Sequence, residues 1–148
     1  MPLRAIIADK SILAFALSPH EWRSLQGQLR NNRSLGHLPC CHAQVVAKTS
    51  KLGTQFFAHY AKRECDAARE TEAHLGAKRA VYEGCIEAGW NALPEVVSPD
   101  GAWRADVLAW RQRTQVAFAI QWSRQSKERT LERDRGFEAD VREARQLA

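Results

Sequence analysis

A chain of 148 residues with 45% hydrophobic and 26% charged residues can bury the core of one compact domain with a small appendage, and its composition argues against a disordered chain. Its net charge of +5 suits a polyanionic partner, since each phosphate neutralised by Lys or Arg releases condensed counterions, although many basic proteins bind no nucleic acid. No run approaches the ~20 apolar residues that span a bilayer. Asp9-Lys10 also interrupts the first apolar stretch before a signal segment can form, so a cytoplasmic protein with no membrane partner is expected. In that compartment Cys40, Cys41, Cys65 and Cys85 read as metal ligands or core thiols rather than disulfides.

Residues 4–8 and 11–17 are apolar runs parted by Asp9-Lys10, which predicts a hairpin. Ser18-Pro19-His20-Glu21 predicts a helix start: Ser18 caps, Pro19 fits the first turn and Glu21 holds the capping-box position. That helix should run to about Leu29 and stop at Asn31-Asn32. Strands are expected at residues 37–41, 44–49 and 54–59, with Gly53 turning the chain between the last two. After Glu64 the period changes. Residues 67–88 carry good helix formers and small or apolar residues at helical spacing, Cys85 among them as a core position, and Gly89 suits the C′ site.

Three more strands follow, at residues 90–97, 103–110 and 115–122, with Pro94 pointing to an edge position for the first. Residues 116–120 are apolar on both faces, as a central covered strand should be. Ser126 should cap a charged helix over residues 127–146. The expected fold class is α/β: a small β-rich region with a Cys/His cluster over residues 1–66, then a core of helix, three-stranded sheet and helix over residues 67–148.

Three segments make the pattern specific. Glu70-Thr71-Glu72-Ala73-His74-Leu75-Gly76-Ala77-Lys78 resembles the E-[ST]-x-x-H-x-x-x-K helix of the competence-protein CoiA-like family, a branch of the PD-(D/E)XK nucleases. Trp103-Arg104-Ala105-Asp106-Val107-Leu108 resembles that family's W-R-A-D-V-L strand, and residues 117–123 resemble its A-F-E-[IV]-Q-x-S strand. Fragments of this kind are common singly; three in order on the expected elements are not.

The resemblance implies a restriction-endonuclease-like core and a metal-dependent deoxyribonuclease of DNA uptake or recombination. Glu70 and Asp106 would hold Mg²⁺ or Mn²⁺, with His74 facing the same cleft, and Gln121 and Lys78 would orient water or phosphate. Position 119 and Gln121 stand two apart, so they share one sheet face. The chain departs from the pattern at Ala119, where the family has glutamate, while Phe118, Ile120, Gln121 and Ser123 match. The expectation is a deliberate replacement that leaves a protein able to fold and bind DNA but poorly able to cut it. Without the resemblance, Asp106 reads as an edge-strand acid, and Glu70, His74 and Lys78 as a solvated helix face.

Upstream, Cys40-Cys41-His42 and Phe57-Ala58-His59, followed by Cys65, resemble the signature that precedes the nuclease core in this family, which in relatives looks like a small zinc element. His59 and Cys65 would be joined by two ligands from Cys40, Cys41 and His42; adjacent strand side chains point apart, so Cys40 with His42, or Cys41 alone, are the options. The competing account is a buried thiol pair with a hydrogen-bonded histidine. Beside the site strand, Trp122, Ser123, Arg124, Lys127 and Arg129 are candidates to contact DNA, in a segment whose interleaved acids also fit a plain solvated face. Alternatives to the nuclease are a non-catalytic DNA-binding recombination mediator and a zinc-dependent protein-interaction module. An anti-phage or toxin nuclease would share the chemistry. A homo-oligomer and recombination proteins are further candidate partners.

Overall fold

The computed structural model of the chain describes residues 2–61, 65 and 70–120. The first sheet is set by a tight hairpin. Strand β1 (Arg4–Ile7) pairs antiparallel with β2 (Lys10–Leu13), and Ala8 and Asp9 between them take φ of 46° and 62°. Two positive φ values in a two-residue loop match the twist of the flanking strands, so the turn lies one residue earlier than Asp9-Lys10. The second run ends sooner than expected, because residues 14–16 wind into a 3-10 turn. Helix α1 (Pro19–Asn31) begins as the sequence dictates. Glu21 N–H donates to Ser18 Oγ, and Ser18 N–H donates to Glu21 Oε2, forming the reciprocal box.

The apolar face of α1 presents Trp22, Leu25 and Leu29 to a core with Ala5, Ile7, Leu38, Val45 and Phe57. Trp22 meets Phe57 edge-on at 5.2 Å, and its indole N–H donates to Thr49 Oγ1. Gly36, in the short strand β3 (Gly36–His37) beside β1, allows close approach; a Cβ there would collide with Ile7 and Val45. Strands β4 (Val45–Thr49) and β5 (Gln55–His59) form a separate antiparallel pair. The strand expected over residues 37–41 is not formed beyond His37: residues 39–41 turn, closed by His42 N–H to Leu38 C=O and Leu38 N–H to Ala43 C=O. Pro39 cannot donate to a ladder, which favours this outcome.

Helix α2 (Glu72–Glu87) packs on β6 (Asn91–Val97) and β7 (Arg104–Arg111), which continue antiparallel into β8 (Thr114–Phe118). Thr71 caps α2, so Glu70 lies just before the helix; Gly89, at φ 77°, ends it. The sheet order β6-β7-β8 puts β7 in the middle. Among the described residues β8 is therefore not the central strand: Ala105, Asp106, Val107 and Ala109 of β7 are buried, whereas Val116 of β8 is 37% exposed. The reason is topological, since three strands joined by tight turns cover their second member from both sides. Cys85 is half-buried and lies outside the hydrophobic clusters. Among the described residues no helix is long and apolar enough to cross a membrane. The expected helix over residues 127–146 lies outside the described residues.

Candidate functional site

Among the described residues, two groups of side chains that could hold a metal ion come together. In the first, Cys40, Cys41, His59 and Cys65 each offer one donor atom within 4.8 Å of the others. Cys40 Sγ lies 3.7 Å from both Cys41 Sγ and Cys65 Sγ, and Cys41 Sγ lies 3.3 Å from His59 Nε2. A tetrahedral zinc ion with Zn–S of about 2.3 Å and Zn–N of about 2.0–2.1 Å sets S···S edges of about 3.8 Å and S···N edges of about 3.6 Å. The three short distances lie within about 0.3 Å of those edges, so the donor set is of the kind and size that could hold such an ion. Adjacent cysteines both reach it because residues 39–41 turn rather than extend, removing the constraint that adjacent side chains diverge. His42 stands outside the group: it sits at φ 52° and its ring faces His37 at 5.5 Å. Burial, followed by the neighbouring Cys41 and Cys65, pushes the Cys40 thiol well above its ordinary range.

In the second group, Glu70, His74 and Asp106 likewise place their donors within 4.8 Å of one another. His74 Nε2 is 3.7 Å from Asp106 Oδ2 and, although buried, has no hydrogen-bond partner among the described residues. Helix periodicity stacks His74 one turn before Lys78, which reaches back to Glu70. The start of α2 is fixed by the β4–β5 hairpin, whose Ser50 and Thr54 hydroxyls donate to Glu72; these two bonds, Thr54 first, lower the Glu72 pKa.

Lys78 is not at the mouth of a cleft. Its side chain is 0% exposed, and its ammonium lies 2.6 Å from Glu70 Oε1, 2.9 Å from Glu95 Oε1 and 3.9 Å from Asp106 Oδ1. Burial, the largest influence, lowers its pKa, but Glu95 and Glu70 together outweigh it and leave the pKa raised. Three carboxylates thus gather about one ammonium, and the buried Arg4 guanidinium donates to the Glu95 carbonyl beside them. Buried carboxylates are costly unless cations offset them.

Residues 70–142 match the family described as "Competence protein CoiA, nuclease-like domain". This segment belongs with the nuclease-like domain of the CoiA-like family. No curated protein and no solved structure matches it.

The CoiA-like motif residues can now be placed. Asp106 sits on the middle strand, and the β7–β8 register, continued one pair past Val107 and Phe118, sets Ala119 opposite it. Ile120 N–H donates to Asp106 Oδ2 at 2.7 Å, which brings the end of β8 to the acid group. Gln121, Trp122, Ser123, Arg124, Lys127 and Arg129 lie outside the described residues. Glu95 lies outside all three motif segments yet joins the same group. The β6–β7 pairs Pro94–Val107 and Val96–Ala105 flank it and set it beside Asp106, so Glu95 on β6, Asp106 on β7 and Ala119 just past the end of β8 form one row. A lone acid inside the apolar run Leu93-Pro94-Glu95-Val96-Val97 was the available signal.

Proposed function

We propose that this protein carries a metal-dependent deoxyribonuclease site of the CoiA type, built on a PD-(D/E)XK core, which engages DNA phosphodiesters in uptake or recombination and is silenced at Ala119. The observation that supports this most is the convergence of Glu70, His74 and Asp106 beside a buried Lys78. Glu70, His74 and Asp106 would hold Mg²⁺ or Mn²⁺, whose chemistry when bound is to polarise a phosphoryl oxygen and acidify water. Lys78 draws the carboxylates together by its ion pairs and does not reach phosphate. The Ile120 N–H fixes one oxygen of Asp106 and leaves the other turned toward Lys78. Alanine at 119 removes one ligand and one negative charge from the row, which weakens the hold on a cation and on the attacking water it would orient. Gln121, Trp122, Ser123, Arg124, Lys127 and Arg129 are assigned to substrate contact. The Cys40, Cys41, His59 and Cys65 group is assigned to structural zinc.

The test is restoration. Ala119→Glu should gain Mg²⁺- or Mn²⁺-dependent cleavage of plasmid, linear or branched DNA, and Ala119→Glu combined with Asp106→Ala should not. Absence of cleavage on every substrate, with DNA binding retained, would favour a non-catalytic recombination mediator. Failure of the native chain to shift DNA at low salt would remove the nucleic-acid assignment altogether.

A further inference from the structure

Glu95 occupies an unfavourable backbone position and makes an unusually complete set of bonds. Its φ is 57°, in the middle of β6, where an L-residue other than glycine is disfavoured by roughly 1–2 kcal/mol. The carboxylate collects three donors from two parts of the chain. Leu3 N–H donates to Oε1 at 2.7 Å, Arg4 N–H donates to Oε2 at 3.2 Å, and the Lys78 ammonium donates to Oε1 at 2.9 Å. Arg4 Nη2 also donates to the Glu95 carbonyl at 2.9 Å. The clasp is sealed, with Leu3 1%, Arg4 8%, Lys78 0% and Glu95 7% exposed. A residue persists at such a φ only when its surroundings over-determine it, and here they do.

The segment at the other end of the clasp is itself fastened to the first region. Phe57 N–H donates to the Pro2 carbonyl, and Ala14 N–H to the Leu3 carbonyl, both at 2.8 Å. Residues 2–4 thus join β5, which carries His59, to the lysine that holds Glu70.

We propose that Glu95 is the positioning residue of the acid site, and that residues 3 and 4 are part of that site because their backbone N–H groups set Glu95 for Lys78 and, through it, for Glu70 and Asp106. This rests on the metal assignment of Glu70, His74 and Asp106 and extends it to a residue pair from the opposite end of the chain. Without the clasp, the ammonium has no partner on the β6 side and settles wholly on Glu70 and Asp106, where it competes with a divalent cation for the same oxygens.

The experiment is Mn²⁺ binding to the full chain, followed by calorimetry and by the free-ion paramagnetic signal. The variants are Glu95→Gln, Glu95→Asp and, as a control for net charge, Glu83→Gln at the exposed Arg79–Glu83 pair. Glu95→Gln should weaken Mn²⁺ by about tenfold or more, the order expected when one charge near a divalent ion is removed at partial burial. Glu95→Asp keeps the charge but is one methylene too short to span Leu3 and Lys78, and should weaken Mn²⁺ about threefold or more. Glu83→Gln should stay within about twofold. Metal content at the Cys/His group, which a general loosening of the fold would lower, should be unchanged in all three. If Glu95→Gln does not fold, Glu95→Asp decides: an affinity equal to the native chain overturns the proposal, and a loss supports it. A native chain that binds no Mn²⁺ removes the metal assignment and this proposal together, whereas equal binding by the native chain and both Glu95 variants removes this proposal alone.

Discussion

Cys40, Cys41, His59 and Cys65 bring three sulfurs and an imidazole together around the turn that precedes β4 and the end of β5, all half-buried. Glu70, His74 and Asp106 bring oxygens and one imidazole together between α2 and the middle of a three-stranded sheet, with the Lys78 ammonium beside them. The first set is soft and closed, suited to zinc as a structural ion; the second is hard, suited to Mg²⁺ or Mn²⁺. The difference teaches that the two groups fail differently. With the ions assigned above, the first group is tied together by its zinc. The second already contains an ammonium, so it would hold its shape while its ion comes and goes.

The largest effect expected from this contrast is at the first group. Structural zinc binds with an apparent free energy on the order of 10 kcal/mol, much of it expressed as folding. Cys65→Ser and His59→Ala should each reduce zinc content from near one equivalent to near zero by metal analysis, and the melting transition should broaden and fall. His42→Ala should keep the ion, since His42 turns away from the group. Retention of zinc by Cys65→Ser would break the comparison at its first term.

Next in size is Lys78. Lys78→Met leaves buried carboxylates without their cation and should cost about 3–5 kcal/mol in denaturant unfolding. Its pH dependence follows from the raised pKa. A group with a higher pKa folded than unfolded contributes fully below the unfolded value, ordinarily 10.5, and loses that contribution as pH rises through the folded one. The stability gap between native protein and variant should therefore be flat across neutral pH and shrink only above about pH 10.5. A gap that shrinks below pH 8 would show that the ammonium is not held as the ion pairs require.

How much of this was legible beforehand follows from the range of the interactions. The Ser18 capping box and Gly89 at the end of α2 were visible, since each is decided within three or four residues. The order helix, strand, strand, strand was visible from turn residues and apolar runs. The turn at residues 39–41 was not, because strand propensity in the run from His37 to Cys41 competes with a closure that Ala43 and His42 supply. β8 looked central because Val116, Phe118 and Ile120 are apolar, yet sheet order is a tertiary fact. Glu95 was the least legible residue, since its partners Leu3 and Arg4 lie 92 and 91 positions away. Ala119 was conspicuous only because a family pattern stood beside it.

A smaller effect should separate the two ions. Imidazole is a better ligand for Mn²⁺ than for Mg²⁺, and His74 Nε2 is the nitrogen in the acid group. His74→Ala should weaken Mn²⁺ about tenfold while changing Mg²⁺ by about threefold or less, measured by competition against the same indicator. Equal losses would assign His74 to packing rather than to the ion.

The smallest effect is expected where neither group is touched. Ser18→Ala removes the cap of α1, whose Trp22, Leu25 and Leu29 line the core under the first sheet. Loss of such a cap costs about 1 kcal/mol. The Cys/His group shares that core through Cys40 and Cys41, which pack against it, whereas His74 on α2, Asp106 on β7 and Glu70 just before α2 do not. Zinc should therefore become slightly easier to remove with a chelator, while Mn²⁺ affinity stays unchanged. If both ions weaken in parallel, the clasp at Glu95 transmits the loosening of the first sheet to the acid group, and the two sites are energetically one.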